Sequence, residues 1–246
     1  MTGRSAEPLP DTGHHLHLAY RACRENITRL VTSGPSVAEL PVPACPGWSV
    51  RDLVGHLVVV CRMAVEEDPG EISEPPPPPP GIPVSELVST WAELENDLAG
   101  VLPRADWLRR RILPLDALSH ELDLRSALGM PPPGRPPALA DALDLAVMGF
   151  TLSLNGHGLP ALRVRTPDRV WAVGEGEPAA TLRGGSREVF RALTGRRTVR
   201  QIGELSWSAP SDRWLPAFTW GPFTPPTRTV EEAAPSGPAP GLRSRN

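Results

Sequence analysis

Disulfides, membrane spans and basic surfaces are all missing from this chain of 246 residues. It has three cysteines, Cys23, Cys45 and Cys61, an odd number with no close CxxC pair, which fits reduced thiols better than a disulfide framework. No run approaches the roughly 20 apolar residues of a spanning helix, so no membrane association is expected. The opening MTGRSAEPLPDTGHHLHLAY has no apolar signal-peptide core, and the expected location is the cytoplasm. Lys+Arg (25) nearly balance Asp+Glu (28), for a net charge of −3, so nothing provides the basic face that nucleic acid requires. Phe and Tyr are few, at four and one, whereas 32 prolines break up the chain and point to a high-GC genome. The remainder, 40% hydrophobic and 22% charged, is globular in composition and long enough for two domains.

Residues 1–11 are polar and expected to be flexible. From His14 to Val31, apolar residues at Leu16, Leu18, Ala19, Ala22, Ile27, Leu30 and Val31 keep helical spacing. His14, His15 and His17 lie in this helix with no neighbouring carboxylate, and read as its partly exposed start. Ser33 to Trp48 is a proline-interrupted loop. Ser49 is an N-cap signal, with Asp52 in the first turn, where a helix dipole favours an anion. Trp48 is expected to fold over that helix start or to line a site beside it. Cys45 lies close by with no base next to it in sequence, and reads as an incidental thiol. Glu66 to Pro83, with six consecutive prolines at Pro75–Pro80, reads as a polyproline II connector. Ser85 to Gly100 reads as a third helix, capped by Ser85 and ended by Gly100, with Trp91 in its core. Asp106 to Gly129 reads as a fourth, stopped by Gly129 and the prolines after it.

PPPGRPP, Pro131 to Pro137, is a stiff link, so the bundle is expected over residues 12–130 and a second domain over 138–226. That domain opens with a helix, Ala138 to Leu154. Short β-like runs follow at Leu162–Arg165, Val170–Val173 and Ala180–Arg183, read as an antiparallel meander. Helices at Ser186–Thr194 and Thr198–Leu205 come next, and residues 227–246 read as a disordered tail. The fold class is α+β, a four-helix bundle followed by a small α+β domain.

The fourth helix carries the chemistry. Asp116, His120 and Asp123 are four and three residues apart, so with about 3.6 residues per turn they share one face. His56 lies in the aliphatic stretch Leu53, Val54, Leu57, Val58, where an unpartnered imidazole is costly. His56, Asp116 and His120 therefore make a candidate N/N/O set for a divalent metal, with a coordination position left open as in catalytic sites. Asp123 reads as a ligand, a cap, or the acceptor that orients His120, and the last is favoured because ligating histidines donate their other N–H. Glu121 and Arg125 read as a solvent-side ion pair.

WSVRDLVGHL (48–57), HELDLRSALG (120–129) and GEGEPAATLRGGSREVFRALTGRRTVRQI (174–202) together resemble the actinobacterial mycothiol-dependent maleylpyruvate isomerase family. The resemblance implies a DinB/YfiT-like metal-binding bundle joined to a sterol-carrier-like α+β domain. It also implies zinc or another divalent ion on His56, Asp116 and His120, with aspartate at the family's glutamate position. Mycothiol would be the thiol cofactor or co-substrate, and a small electrophile would undergo isomerisation or S-transfer. Arg196 and Arg197 are the best match to the family's arginines for an anionic substrate or thiol, although GRR after a helix also reads as a solvated end complementing the dipole. A monomer or homodimer is expected. Two alternatives stay open: a hydrolase using metal-activated water with Asp123 as base, and a non-catalytic small-molecule binder.

Overall fold

Apolar residues at helical spacing in the first half of the chain, and short alternating runs in the second, build two compact units in a computed structural model. It describes residues 13–34, 37–66 and 81–231. The units comprise residues 1–145 and 146–246. Residues 1–11, Pro75–Pro80 and the tail beyond 231 lie outside the described residues.

In the first unit, α1 (Gly13–Val31) packs on α4 (Trp107–Ala127), and α2 (Val50–Val65) packs on α3 (Val84–Val101). Contacts of α1 with α3 and of α2 with α4 close the four-helix bundle. Leu16, Ile27, Leu53, Leu57, Trp91 and Leu98 are fully enclosed, and the Trp91 indole N–H donates to the Tyr20 hydroxyl at 2.7 Å. Helix α2 begins as expected: Ser49 Oγ accepts from the Asp52 amide, and the Asp52 carboxylate accepts from the Ser49 amide, forming a capping box. Helix α3 begins differently. Pro83 precedes it with no side-chain cap, and the helix runs through Gly100 to Val101, so neither Ser85 nor Gly100 bounds it. Asp106 caps α4 by accepting from the Leu108 and Arg109 amides.

Two readings of exposure are corrected. His17 is buried, and its Nε2 lies 2.5 Å from Glu95 of α3, which also accepts from Arg21 Nε at 2.9 Å. The carboxylate that its sequence neighbourhood lacks comes from 78 residues further on, across the helix pair. Glu121 does pair with Arg125, at 2.9 Å, but it is wholly buried rather than on the solvent side, and it also accepts from Asn26 of α1.

A fifth helix, α5 (Leu139–Gly156), leads into the second unit, where β1 (Leu162–Arg165), β2 (Val170–Val173) and β3 (Ala180–Arg183) occur as expected. They do not form a meander. β1 pairs antiparallel with β2 and parallel with β3, and a two-residue β4 (Ser206–Trp207) completes the order β2-β1-β3-β4. Burial explains the order: Leu162 and Val164 are fully enclosed, which suits a central strand, whereas Val170 is exposed on the edge. Helices α6 (Ser186–Leu193) and α7 (Val199–Gly203) follow β3.

The expected tail is anchored at its start. Glu231 receives Arg191 Nε and Nη2 at 2.6 and 2.7 Å and also pairs with Arg197, while its backbone carbonyl accepts from Gln201. Arg191 is 1% exposed, and Glu231 balances its buried charge. Glu231→Gln should therefore destabilise the protein by about 3 kcal/mol, as expected for breaking a buried pair. Denaturant unfolding checks this, and a loss below about 1 kcal/mol would mean that the pair is effectively solvated.

Candidate metal centre

The loop before α2 sets the site. Its ends are tied by Val50 N–H to Leu40 O and Val42 N–H to Trp48 O, both at 2.9 Å, and an inner turn runs from Val42 to Cys45 to Trp48. Gly47, at φ 84°, supplies the left-handed residue that closes this turn, a conformation other residues adopt only with strain. Cys45 and Trp48 are thereby held over α4. The Trp48 ring lies 5.0 Å from the His56 ring and 6.4 Å from that of His120, centroid to centroid, so it lines the site as well as covering the helix start.

His56 of α2 and Asp116 and His120 of α4 converge. The His56 and His120 ring centroids are 5.0 Å apart, in an edge-on arrangement. His56 Nε2 lies 3.5 Å from Asp116 Oδ2, and His120 Nε2 lies 3.4 Å from Asp116 Oδ1. Both separations are long for charge-assisted hydrogen bonds. They match the roughly 3.4 Å nitrogen-to-oxygen edge of a tetrahedron around a zinc-sized ion. Both ring nitrogens of His56, together with Asp116 Oδ2, are buried without a hydrogen-bond partner. Leaving three such atoms unsatisfied would cost several kcal/mol in total, so the donor set fits a divalent cation. The Asp116 side chain is 22% exposed, against 9% for each histidine, which leaves the group open to solvent on the aspartate side.

The electrostatics point the same way. Burial alone would push the Asp116 carboxyl up, but the neighbouring His120 and His56 hold it far below the usual carboxylate range. Burial likewise disfavours a charged His120, yet the Asp116 carboxylate and a bond to Asp123 raise it well above an ordinary imidazole. The site thus requires positive charge between carboxylate and rings. A proton on His120 meets that requirement in part, and a divalent ion serves both rings at once.

Asp123 is fully buried behind His120, with Oδ2 3.0 Å from Nδ1. It fixes the ring by accepting from Nδ1–H, which frees Nε2 as a lone-pair donor. So enclosed, it does not suit the role of base for an attacking water. Cys45, which sequence reading set aside, has its Sγ 3.8 Å from His120 Nδ1 and 3.7 Å from Asp123 Oδ2. Only the turn geometry brings it there, and the glycine next to Trp48 was the available signal. Arg197 is 2% exposed, and each of its guanidinium nitrogens is engaged, by Glu188, Glu231 or the Arg196 carbonyl. It is neither a solvated helix end nor open to an anion. Arg196 is half-buried, with Nη1 donating to the Thr194 carbonyl at 2.7 Å.

Residues 20–148 match the family described as Mycothiol maleylpyruvate isomerase N-terminal domain. Two solved structures share the fold: the mycothiol-dependent maleylpyruvate isomerase, with TM-score 0.51, and a variant of it with one histidine replaced by alanine, with TM-score 0.52. Each is 12% identical to this chain and covers 85% of it and 97% of its own length. No curated protein matches the chain.

Because a metal must displace the proton that His120 otherwise holds, affinity should rise with pH. Without metal, the raised His120 stabilises the fold below its unfolded value of about 6.5 and loses that contribution as pH climbs through the folded value. The gain in Tm from zinc over chelator should therefore widen as pH rises from about 6 to 8, and Asp116→Asn should abolish it. A gain that does not vary with pH would exclude His120 as a ligand.

Proposed function

The chain belongs to the mycothiol maleylpyruvate isomerase N-terminal domain family, and from that membership we propose that it is a divalent-metal enzyme, with zinc as the ion, acting with mycothiol on a small electrophile. The observation that carries the reading is the buried His56 ring, unpartnered at both nitrogens beside Asp116 and His120. These three side chains would hold the ion. Three protein ligands leave one tetrahedral position for an exogenous group, as in catalytic rather than structural zinc sites. Zinc supplies a Lewis acid that lowers the proton affinity of a thiol, and mycothiol supplies a nucleophile able to add reversibly to an activated double bond.

The protein's own contribution is positional. Asp123 holds the Nδ1–H of His120, so the ring presents Nε2 to the cation in a fixed tautomer. Trp48 walls the two imidazoles on one side, and the partly exposed Asp116 leaves an approach on another. Isomerisation is the preferred outcome because the family and both similar solved structures carry that activity in their names. Transfer of the thiol to the substrate uses the same groups and differs in whether the sulfur leaves again.

Purified protein should bind about one equivalent of zinc per chain, and His120→Ala or His56→Ala should lose most of it, by at least about tenfold in affinity. Turnover of activated alkenes should require mycothiol. Equal turnover without any thiol would overturn the proposal in favour of hydrolysis, and the absence of metal uptake on titration would overturn it altogether.

A further inference from the structure

A second donor set meets at the far edge of the His120 ring. Cys45 Sγ, His120 Nδ1 and Asp123 Oδ2 are separated by 3.8, 3.7 and 3.0 Å, from sulfur to nitrogen, sulfur to oxygen and nitrogen to oxygen. Around an ion bound at about 2.3 Å from sulfur and about 2.0–2.2 Å from nitrogen and oxygen, a tetrahedron has edges of about 3.4–3.6 Å. For an ion of zinc's size the triangle needs adjustments of a few tenths of an ångström, and for a larger soft ion the 3.0 Å edge between Nδ1 and Oδ2 has to open further. Asp123 closes its inner side, fully buried, while Cys45 is half-buried at the loop and gives access from solvent.

We propose that Cys45, Asp123 and His120 form a second metal site, selective for soft, thiolate-preferring ions such as cadmium, whose occupancy excludes metal from the His56, Asp116 and His120 set. Selectivity follows from the donors, since a thiolate favours soft cations over the harder ones that carboxylate and imidazole accept equally well. Exclusion follows from the ring: an imidazole that keeps one N–H ligates through one nitrogen only. On binding to the metal-free protein, Cys45 and the Nδ1–H of charged His120 release their protons to solvent, and the ring keeps its Nε2–H facing Asp116; in the zinc-loaded protein the single His120 proton shifts from Nδ1 to Nε2 as zinc leaves. The first site then loses a ligand, so a soft ion acts as an inhibitor without touching His56.

Cadmium titration of the metal-free full-length protein tests this through the ultraviolet thiolate-to-metal charge-transfer band, which only a sulfur ligand produces. Wild type should develop the band with one equivalent, and His56→Ala should keep it. Cys45→Ser should lose it while still binding zinc, which shows that the variant is folded and that buried Cys23 and Cys61 do not contribute. In zinc-loaded wild type the band should grow in step with zinc release. A band that persists in Cys45→Ser, or none in wild type, overturns the site. A band that grows without zinc release overturns the exclusion. The His56→Ala result separates this inference from the proposed function, because failure of the first metal set leaves the cadmium band intact.

Discussion

The first unit depends on placing one carboxylate between two imidazoles in a largely buried position. Asp116 carries a charge that burial opposes, and it keeps that charge only because His56 and His120 face it. Asp116 satisfies neither ring by a short hydrogen bond, since the distances of 3.4 and 3.5 Å exceed those of good charge-assisted bonds. A structure that aims three donors at one another without letting them bond directly stores an unmet demand for a cation. Glu95 differs: it is more deeply buried than Asp116 and accepts a hydrogen bond from Arg21 Nε at 2.9 Å, with His17 Nε2 2.5 Å away.

Rigidity around the demand comes from ordinary folding devices. The capping box of Ser49 and Asp52 fixes where α2 starts, and so fixes the turn from which His56 projects. The loop closed by Val42 and Trp48 lays an indole across both rings, limiting their rotation and excluding water from that side. Asp123 immobilises His120 from behind. A metal site gains affinity when its ligands have little freedom left to lose, and in this candidate set each ring is held by a neighbour outside the set.

Local signals in the sequence were sufficient for most of the elements and for the residues of the candidate metal set. The i, i+4 spacing of Asp116 and His120, and one histidine among aliphatics, identify residues that the folded chain brings together. The three long strands also occur at the residues expected from alternation. What escaped the sequence depends on distant partners. His17 looked exposed because Glu95 lies on another helix, Glu121 looked solvated because Asn26 reaches it from α1, and Arg197 looked free because Glu231 returns from beyond the expected domain end. Strand pairing escaped for the same reason, since alternation specifies a strand's faces but not its neighbours. Cys45 needed a positive-φ glycine two residues later to turn its thiol towards α4.

Aspartate at position 116, where the family resemblance implies glutamate, is consistent with this geometry. Its carboxylate divides its oxygens, Oδ1 towards His120 one turn along the same helix and Oδ2 towards His56 on the facing one. A side chain with one more methylene would have to fold back to keep its carboxylate between edge-on rings whose centroids are 5.0 Å apart. The shorter acid works because α2 and α4 are in contact, so reach is supplied by the packing of the backbones. Helix spacing and carboxylate length are thus coupled, and the residue at 116 reports how tightly the bundle closes at the level of its site.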